Sequence, residues 1–172
     1  MESFGDHGVV NMRAGVTDEF GGVLYNISSP PAVYKNLLIV GPAVQEGPSQ
    51  GPSGDPRAFD ARTGRLVWRL RTVPQPGEPG NDSWGPHGFE RRSGPSQWGG
   101  ITVDPERGLA VIPIGNPSDS FYGADRKGMN RHANSASPWT PRRGRCGGHF
   151  SSFTMTSSTS MSPHRRRSST RR

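Results

Sequence analysis

Residues 58–68 read Ala58-Phe59-Asp60-Ala61-Arg62-Thr63-Gly64-Arg65-Leu66-Val67-Trp68, and their order decides the fold. A short apolar run ends at Asp60, a Thr63-Gly64 turn comes next, and a second apolar run ends at Trp68. Gly64 can take the left-handed conformation that closes a short hairpin loop, and Asp60 and Thr63 can hydrogen-bond nearby turn amides. The stretch therefore predicts a β-hairpin with a tryptophan at a fixed distance past its turn.

Working outward, two more hairpins flank it. Ala32-Val33-Tyr34 and Leu37 to Val40 surround Lys35-Asn36, a two-residue turn, and Ser28-Ser29-Pro30-Pro31 before them excludes helix. Ile101 to Val103 and Leu109 to Ile114 surround Asp104-Pro105-Glu106-Arg107-Gly108. The segments between, residues 1–22, 42–57, 73–97 and 115–135, are rich in Gly, Pro and Ser and read as loops. Residues 1–135 have no helical periodicity, so the expectation is an all-β architecture of short strands.

Composition bounds the core. Only 30% of the 172 residues are hydrophobic, and the 24 Gly and 17 Pro leave much backbone irregular. The net charge of +7 is unevenly placed: eight Arg and no acid lie between Pro141 and Arg172, so residues 1–140 carry about −1. A nucleic-acid partner would rest on the last 32 residues alone. A small non-enzymatic binding protein with a basic tail on phosphates is thus the alternative function, but no aromatic interleaving or recognition helix accompanies those arginines. The single Cys146 forms no internal disulfide. The spacings of His7, His87, His132, His149, His164 and Cys146 match no zinc motif. No apolar run reaches transmembrane length, and the N-terminus does not read as a signal peptide, so the chain as written is expected in the cytoplasm.

Six motifs in order, FGDHGVVN, ISSPPAVYKNLLIVG, GPSGDPRAFDARTGRLVW, VPQPGEPGNDSW, QWGGITVDPERGLAVIPIGNPSDSFYG and DRKGMN, together resemble the dehydrogenases that use pyrroloquinoline quinone (PQQ), in particular the glucose and quinate types. The resemblance implies about two blades of an eight-bladed β-propeller over residues 1–135, in a periplasmic oxidoreductase. Such an enzyme oxidises alcohol or sugar hydroxyls by hydride transfer to calcium-bound PQQ and hands electrons to a quinone or a cytochrome. It implies that Trp98 forms the floor under the PQQ ring system, that Asn116 ligates calcium through its amide oxygen, and that Ser96 bonds a PQQ carboxylate. Trp68 is assigned to docking one blade on the next. Read without the resemblance, Trp98 is a core or interblade tryptophan and Asn116 a turn residue. The family's carboxylate ligand to calcium belongs in the segment that here reads EGPSQGPSGD, where Glu46 is the nearest acid and Ser49 lies closer to the expected position.

Past Ser135 the texture changes. Residues 136–172 read as a disordered Arg/Ser/Thr-rich tail. The family instead continues with another Trp-ended hairpin and a His-rich segment bearing the catalytic Asp. Suitable codons for ASPWTPRRGRCGG, shifted by one nucleotide, permit LALDAATGKVRW, and those for SSFTMTSSTSM permit LVHHDVFDFD. A frame change near Ser135 is expected from this. The resulting chain is an N-truncated piece that carries part of the cofactor site, no catalytic Asp, and therefore no turnover.

Overall fold

The structure is a computed structural model that describes residues 3–141, 144–146 and 150–151. Among the described residues there are eleven short strands and no α-helix. No helix there is long and apolar enough to cross a membrane.

The first sheet grows from the hairpin at residues 58–68. Strands β2 (Ala32–Tyr34), β3 (Leu37–Val40), β5 (Arg57–Asp60) and β6 (Leu66–Arg69) lie in the antiparallel order β2-β3-β5-β6. Asp60 makes the turn. Its Oδ1 accepts from the amides of Arg62 and Thr63, both at 2.9 Å, and from the Thr63 hydroxyl at 3.1 Å. Gly64, at φ 71°, closes the loop by donating its N–H to Asp60 O at 2.8 Å. Only a glycine fits here, because a Cβ would stand 2.7 Å from Val10 and 2.9 Å from Gly5 N. The FGDHGVV segment thus packs on the turn, where Gly5 N also donates to Thr63 O at 2.9 Å. The two outer-lying strands β1 (Tyr25–Asn26) and β4 (Ala43–Val44) pair separately.

The second sheet repeats the first. Strands β7 (Thr102–Asp104), β8 (Leu109–Ile114), β9 (Ser135–Thr140) and β10 (Arg145–Cys146) run in the order β10-β9-β8-β7, and β11 (Phe150–Ser151) also pairs with β9. Strand β9 runs across the expected boundary at residue 135. The cause is pairing. Ser135 to Thr140 lies along β8 with Trp139 opposite Ala110, and Trp139 is buried. Gly144, at φ 57°, donates to Thr140 O at 2.9 Å, the same closure that Gly64 makes on Asp60. Residues 152–172, most of the predicted tail, lie outside the described residues.

The two sheets pack face to face. Tyr34, Leu37, Ile39 and Ala58 from the first sheet meet Ala110, Ile112, Ile114 and Trp139 from the second, with Leu70 between them. Ile39, Ala58, Ala110 and Ile112 are fully buried, which makes this interface the main source of apolar burial. Trp68 packs against that cluster from the end of β6, and its indole N–H donates to Pro141 O at the end of the second sheet. The tryptophan of one sheet therefore docks on the last hairpin of the next. Two sheets with this strand order, stacked through their faces, are adjacent blades of a partial β-propeller.

The long loops are also packed. A 3-10 turn, Asn81–Trp84, buries Trp84 completely within the segment 73–97. Asp55 accepts from Thr72 N and its hydroxyl, at 2.8 and 2.9 Å, and from Arg69 Nε at 2.5 Å, fastening the loop before β5 to the chain after β6.

Candidate functional site

The site is built by three loops laid side by side, 45–55, 91–99 and 115–130. Ser93 N donates to Ser49 O at 2.8 Å, Gln97 N to Pro42 O at 2.9 Å, and Ser118 N to Ser93 O at 3.1 Å. The end of β3 seats the second loop closely. Gly41 lies against the Gln97 side chain so tightly that a Cβ would overlap its amide. Gln97 is fully buried, so the residue after it is thrust outward.

That residue is Trp98, and its side chain is 66% exposed. A large indole left so exposed is not a core residue. Its main chain is held by Ser29, whose hydroxyl donates to Trp98 O. Gly115 passes along the indole edge, where a Cβ would stand 3.4 Å from Trp98 Nε1, and Gly115 N donates to Ser96 O at 2.9 Å. The residue after Gly115 is Asn116. Its Oδ1 is buried and has no hydrogen-bond partner. A buried amide oxygen left unpaired costs free energy unless something else satisfies it, and a hard cation would do so. Trp98 and Asn116, 18 residues apart in sequence, are thus brought together through Gly115.

Ser96 is engaged differently. Its hydroxyl accepts from Val44 N at 3.0 Å, so it fastens the loop to β4. Glu46 is exposed, but its carbonyl accepts from Ser120 N at 3.0 Å, which sets residue 46 beside the loop that comes after Asn116. Ser49 contributes its carbonyl to the same bundle. Among the described residues no cluster of three His, Cys, Asp or Glu side chains could hold a metal. These loops carry the Asn116 amide oxygen, the carboxylates of Glu46 and Asp119, and main-chain carbonyls, all of them hard oxygen donors of the kind calcium takes.

Three residues of the site carry no signal in the sequence. Ser29 stands in a Ser-Ser-Pro-Pro turn whose partner lies 69 residues away. Arg92 and Arg126 have the sequence surroundings of surface charges in loops, yet both are buried. Burial, then the neighbouring Arg92 charge, lowers the pKa of Arg126, against the opposing pull of Asp125 and Asp119.

Known proteins share this fold and these motifs. The family model of the PQQ-dependent glucose/ethanol/alcohol dehydrogenase β-propeller domain matches residues 1–137. The glycerol dehydrogenase large subunit of Gluconobacter oxydans (strain 621H) is 31% identical over 138 residues, covering 78% of this chain and 18% of that protein. The quinate/shikimate dehydrogenase (quinone) of Acinetobacter baylyi is 25% identical over 136 residues, covering 78% of this chain and 16% of that protein. Among solved structures, quinohemoprotein alcohol dehydrogenase from Comamonas testosteroni superposes with a TM-score of 0.68 at 26% identity, covering 82% of this chain and 22% of that one. The chain spans about a fifth of the length of these relatives. With paired propeller blades that the family model matches over most of their length, the chain belongs to the PQQ-dependent glucose/ethanol/alcohol dehydrogenase β-propeller family.

Proposed function

We propose that this chain carries the cofactor-floor portion of a dehydrogenase that oxidises an alcohol or sugar hydroxyl, and that it binds PQQ together with calcium. The observation that carries the reading is the exposed Trp98, its indole edge flanked by Gly115, with the buried, unpartnered Oδ1 of Asn116 on the next residue. When bound, PQQ supplies a two-electron acceptor for the hydride of the substrate carbon. The chain's own residues bind and orient. Trp98 offers a flat polarisable face to the ring system, and Ser29 holds the Trp98 main chain so that this face keeps its position. Asn116 presents an amide oxygen to calcium, and the main chain of Glu46 is bonded to Ser120 of the same loop, which makes Glu46 a candidate carboxylate ligand. Ser96 keeps the platform strand on β4, with its hydroxyl beside any carboxylate that settles over the loop.

No residue of this chain is assigned the role of catalytic base, since the Asp of the family lies in the segment that the shifted frame would encode. The chain is therefore expected to bind the cofactor without turning over alcohol or sugar. In the longer relatives a quinone or a cytochrome would take the electrons.

The test is titration of the 172-residue chain with PQQ in calcium buffer, monitored by tryptophan fluorescence. Trp98→Ala is expected to weaken binding about 10-fold or more, in keeping with stacking worth ~1–3 kcal/mol on a planar ligand. Asn116→Ala is expected to abolish the gain from calcium while leaving calcium-free binding in place. Equal PQQ affinity for the wild type and Trp98→Ala would refute the assignment. Dye reduction with an alcohol or sugar by the purified chain would refute the absence of turnover.

A further inference from the structure

Arg92 is a full positive charge buried in the loop bundle, with its side chain 5% exposed. Its guanidinium is used on every side. Nε donates to Gly88 O at 3.0 Å, Nη1 to Ser118 O at 2.7 Å, and Nη2 to Asp125 O at 3.3 Å, and Nη1 pairs with the Asp125 carboxylate at 3.0 Å. Arg126, also buried and itself on the 115–130 loop, ties that loop to itself by donating to Asp119 O at 3.3 Å. Two like charges in one buried place are costly, and the Asp125 and Asp119 carboxylates offset only part of that cost. The return is positional. Three of the four Arg92 contacts, and the Arg126 contact to Asp119, lie on the loop that starts two residues past Asn116. The Asn116 side-chain oxygen makes no hydrogen bond of its own, so the adjoining main chain sets where it sits.

We propose that Arg92 is a positioning residue for the cofactor cation: by gripping Ser118 O and Asp125, it fixes the turn that presents Asn116 Oδ1 to calcium. Arg126 assists from within the same loop through Asp119 O. The inference rests on the proposed binding of PQQ with calcium. It requires the fork of an arginine, because a lysine ammonium is a point charge that cannot span Gly88 O, Ser118 O and the Asp125 carboxylate together. Groups that orient a metal ligand typically alter metal affinity by about 10–100-fold when removed.

The experiment uses the full chain with PQQ as probe, titrated once in calcium and once in chelator, with fluorescence quenching as the readout. In Arg92→Lys, the calcium-dependent gain in PQQ affinity is expected to fall about 10-fold or more, while the calcium-free affinity, set by Trp98, stays within about twofold. Arg65→Lys, an exposed site on the hairpin at residues 58–68, is expected to match the wild type. An unchanged calcium-dependent gain in Arg92→Lys overturns the proposal, and so does an equal loss with and without calcium, which would mark a purely structural role. Should Arg92→Lys lose its near-ultraviolet dichroism, Asp125→Asn decides, since it keeps every main-chain acceptor but removes the ionic partner. A selective loss of the calcium-dependent gain in Asp125→Asn supports the proposal, and no change overturns it. A wild-type chain that binds no PQQ in either buffer defeats the proposed function itself, and this inference with it.

Discussion

Asp60 holds three hydrogen bonds on one carboxylate oxygen, and Asn36 Nδ2 donates to the other at 2.9 Å. The amides of Arg62 and then Thr63 favour the ionised form, and they hold its pKa below the ordinary carboxylate value. Its folded pKa is depressed, so the stability it contributes is fully present above the unfolded value of about 3.9 and is lost as pH falls through the lower folded value. Asp104 is held low in the same way, by the Arg107 amide first and the Arg107 side chain second. The expected outcome is that Asp60→Asn is less stable than the wild type at pH 6 and that the gap closes as pH falls below about 4. Urea midpoints at pH 6, 4 and 3 measure this, and a gap that is constant across that range would show that the Asp60 charge contributes nothing. The same scale separates the legible part of the site from the rest. Trp98 and Asn116 are legible because their neighbours, QWGG and IGNPS, are short and contiguous. Ser29, Arg92 and Arg126 are not, because each acts on a carbonyl distant in sequence or on a loop whose path the sequence does not disclose.

At the scale of the element, the strands are readable wherever a turn announces them. Lys35-Asn36, Asp60 to Gly64 and Asp104 to Gly108 each separate two apolar runs, and the structure pairs those runs as β2-β3, β5-β6 and β7-β8. Strand β9 has no such announcement. Ser135-Ala136-Ser137-Pro138 shows no apolar alternation, and its only large apolar residue is Trp139, so its pairing depends on the edge that β8 offers. The one local signal is Gly144 four residues after Thr140, the spacing of Gly64 after Asp60. Trp84 is hidden for a related reason: it is fully buried inside a Gly/Pro-rich loop, where no periodicity marks an inward face. The interface between the sheets yields a direct prediction. Ile112 on β8 is 0% exposed, so Ile112→Ala is expected to cost about 2–5 kcal/mol in urea unfolding. Its neighbour Val111 faces outward and is 40% exposed, and Val111→Ala is expected to cost less than about 1 kcal/mol. Equal costs at the two positions would mean that the sheets do not pack through this face.

For the whole molecule, the decisive region is the chain beyond Ser135. The second blade needs a strand on the free edge of β8, and residues 135–140 supply one. Trp68 needs an acceptor at the end of that blade, and Pro141 O supplies it. The family match ends at residue 137, just where the apolar pattern of the earlier blade gives way to Ser, Pro and Arg. A strand is thus demanded by the fold at a place where the residues are poor strand formers, apart from Trp139. With suitable codons a shifted frame permits LALDAATGKVRW there, which alternates as a strand should and carries an Asp-to-Gly turn and a terminal Trp like those of residues 60–68. Suitable codons in the same frame then permit a His-rich segment containing an Asp, LVHHDVFDFD. Independent sequencing of the coding DNA across codons 130–165 is expected to show that a single-nucleotide shift near codon 135 restores both segments in order. The two segments lie on either side of His149, so a chance match would have to succeed twice in one frame. If the shifted frame encodes neither a Trp-ended hairpin nor the His-rich Asp segment, the frame change is refuted and residues 136–172 are the chain's own sequence.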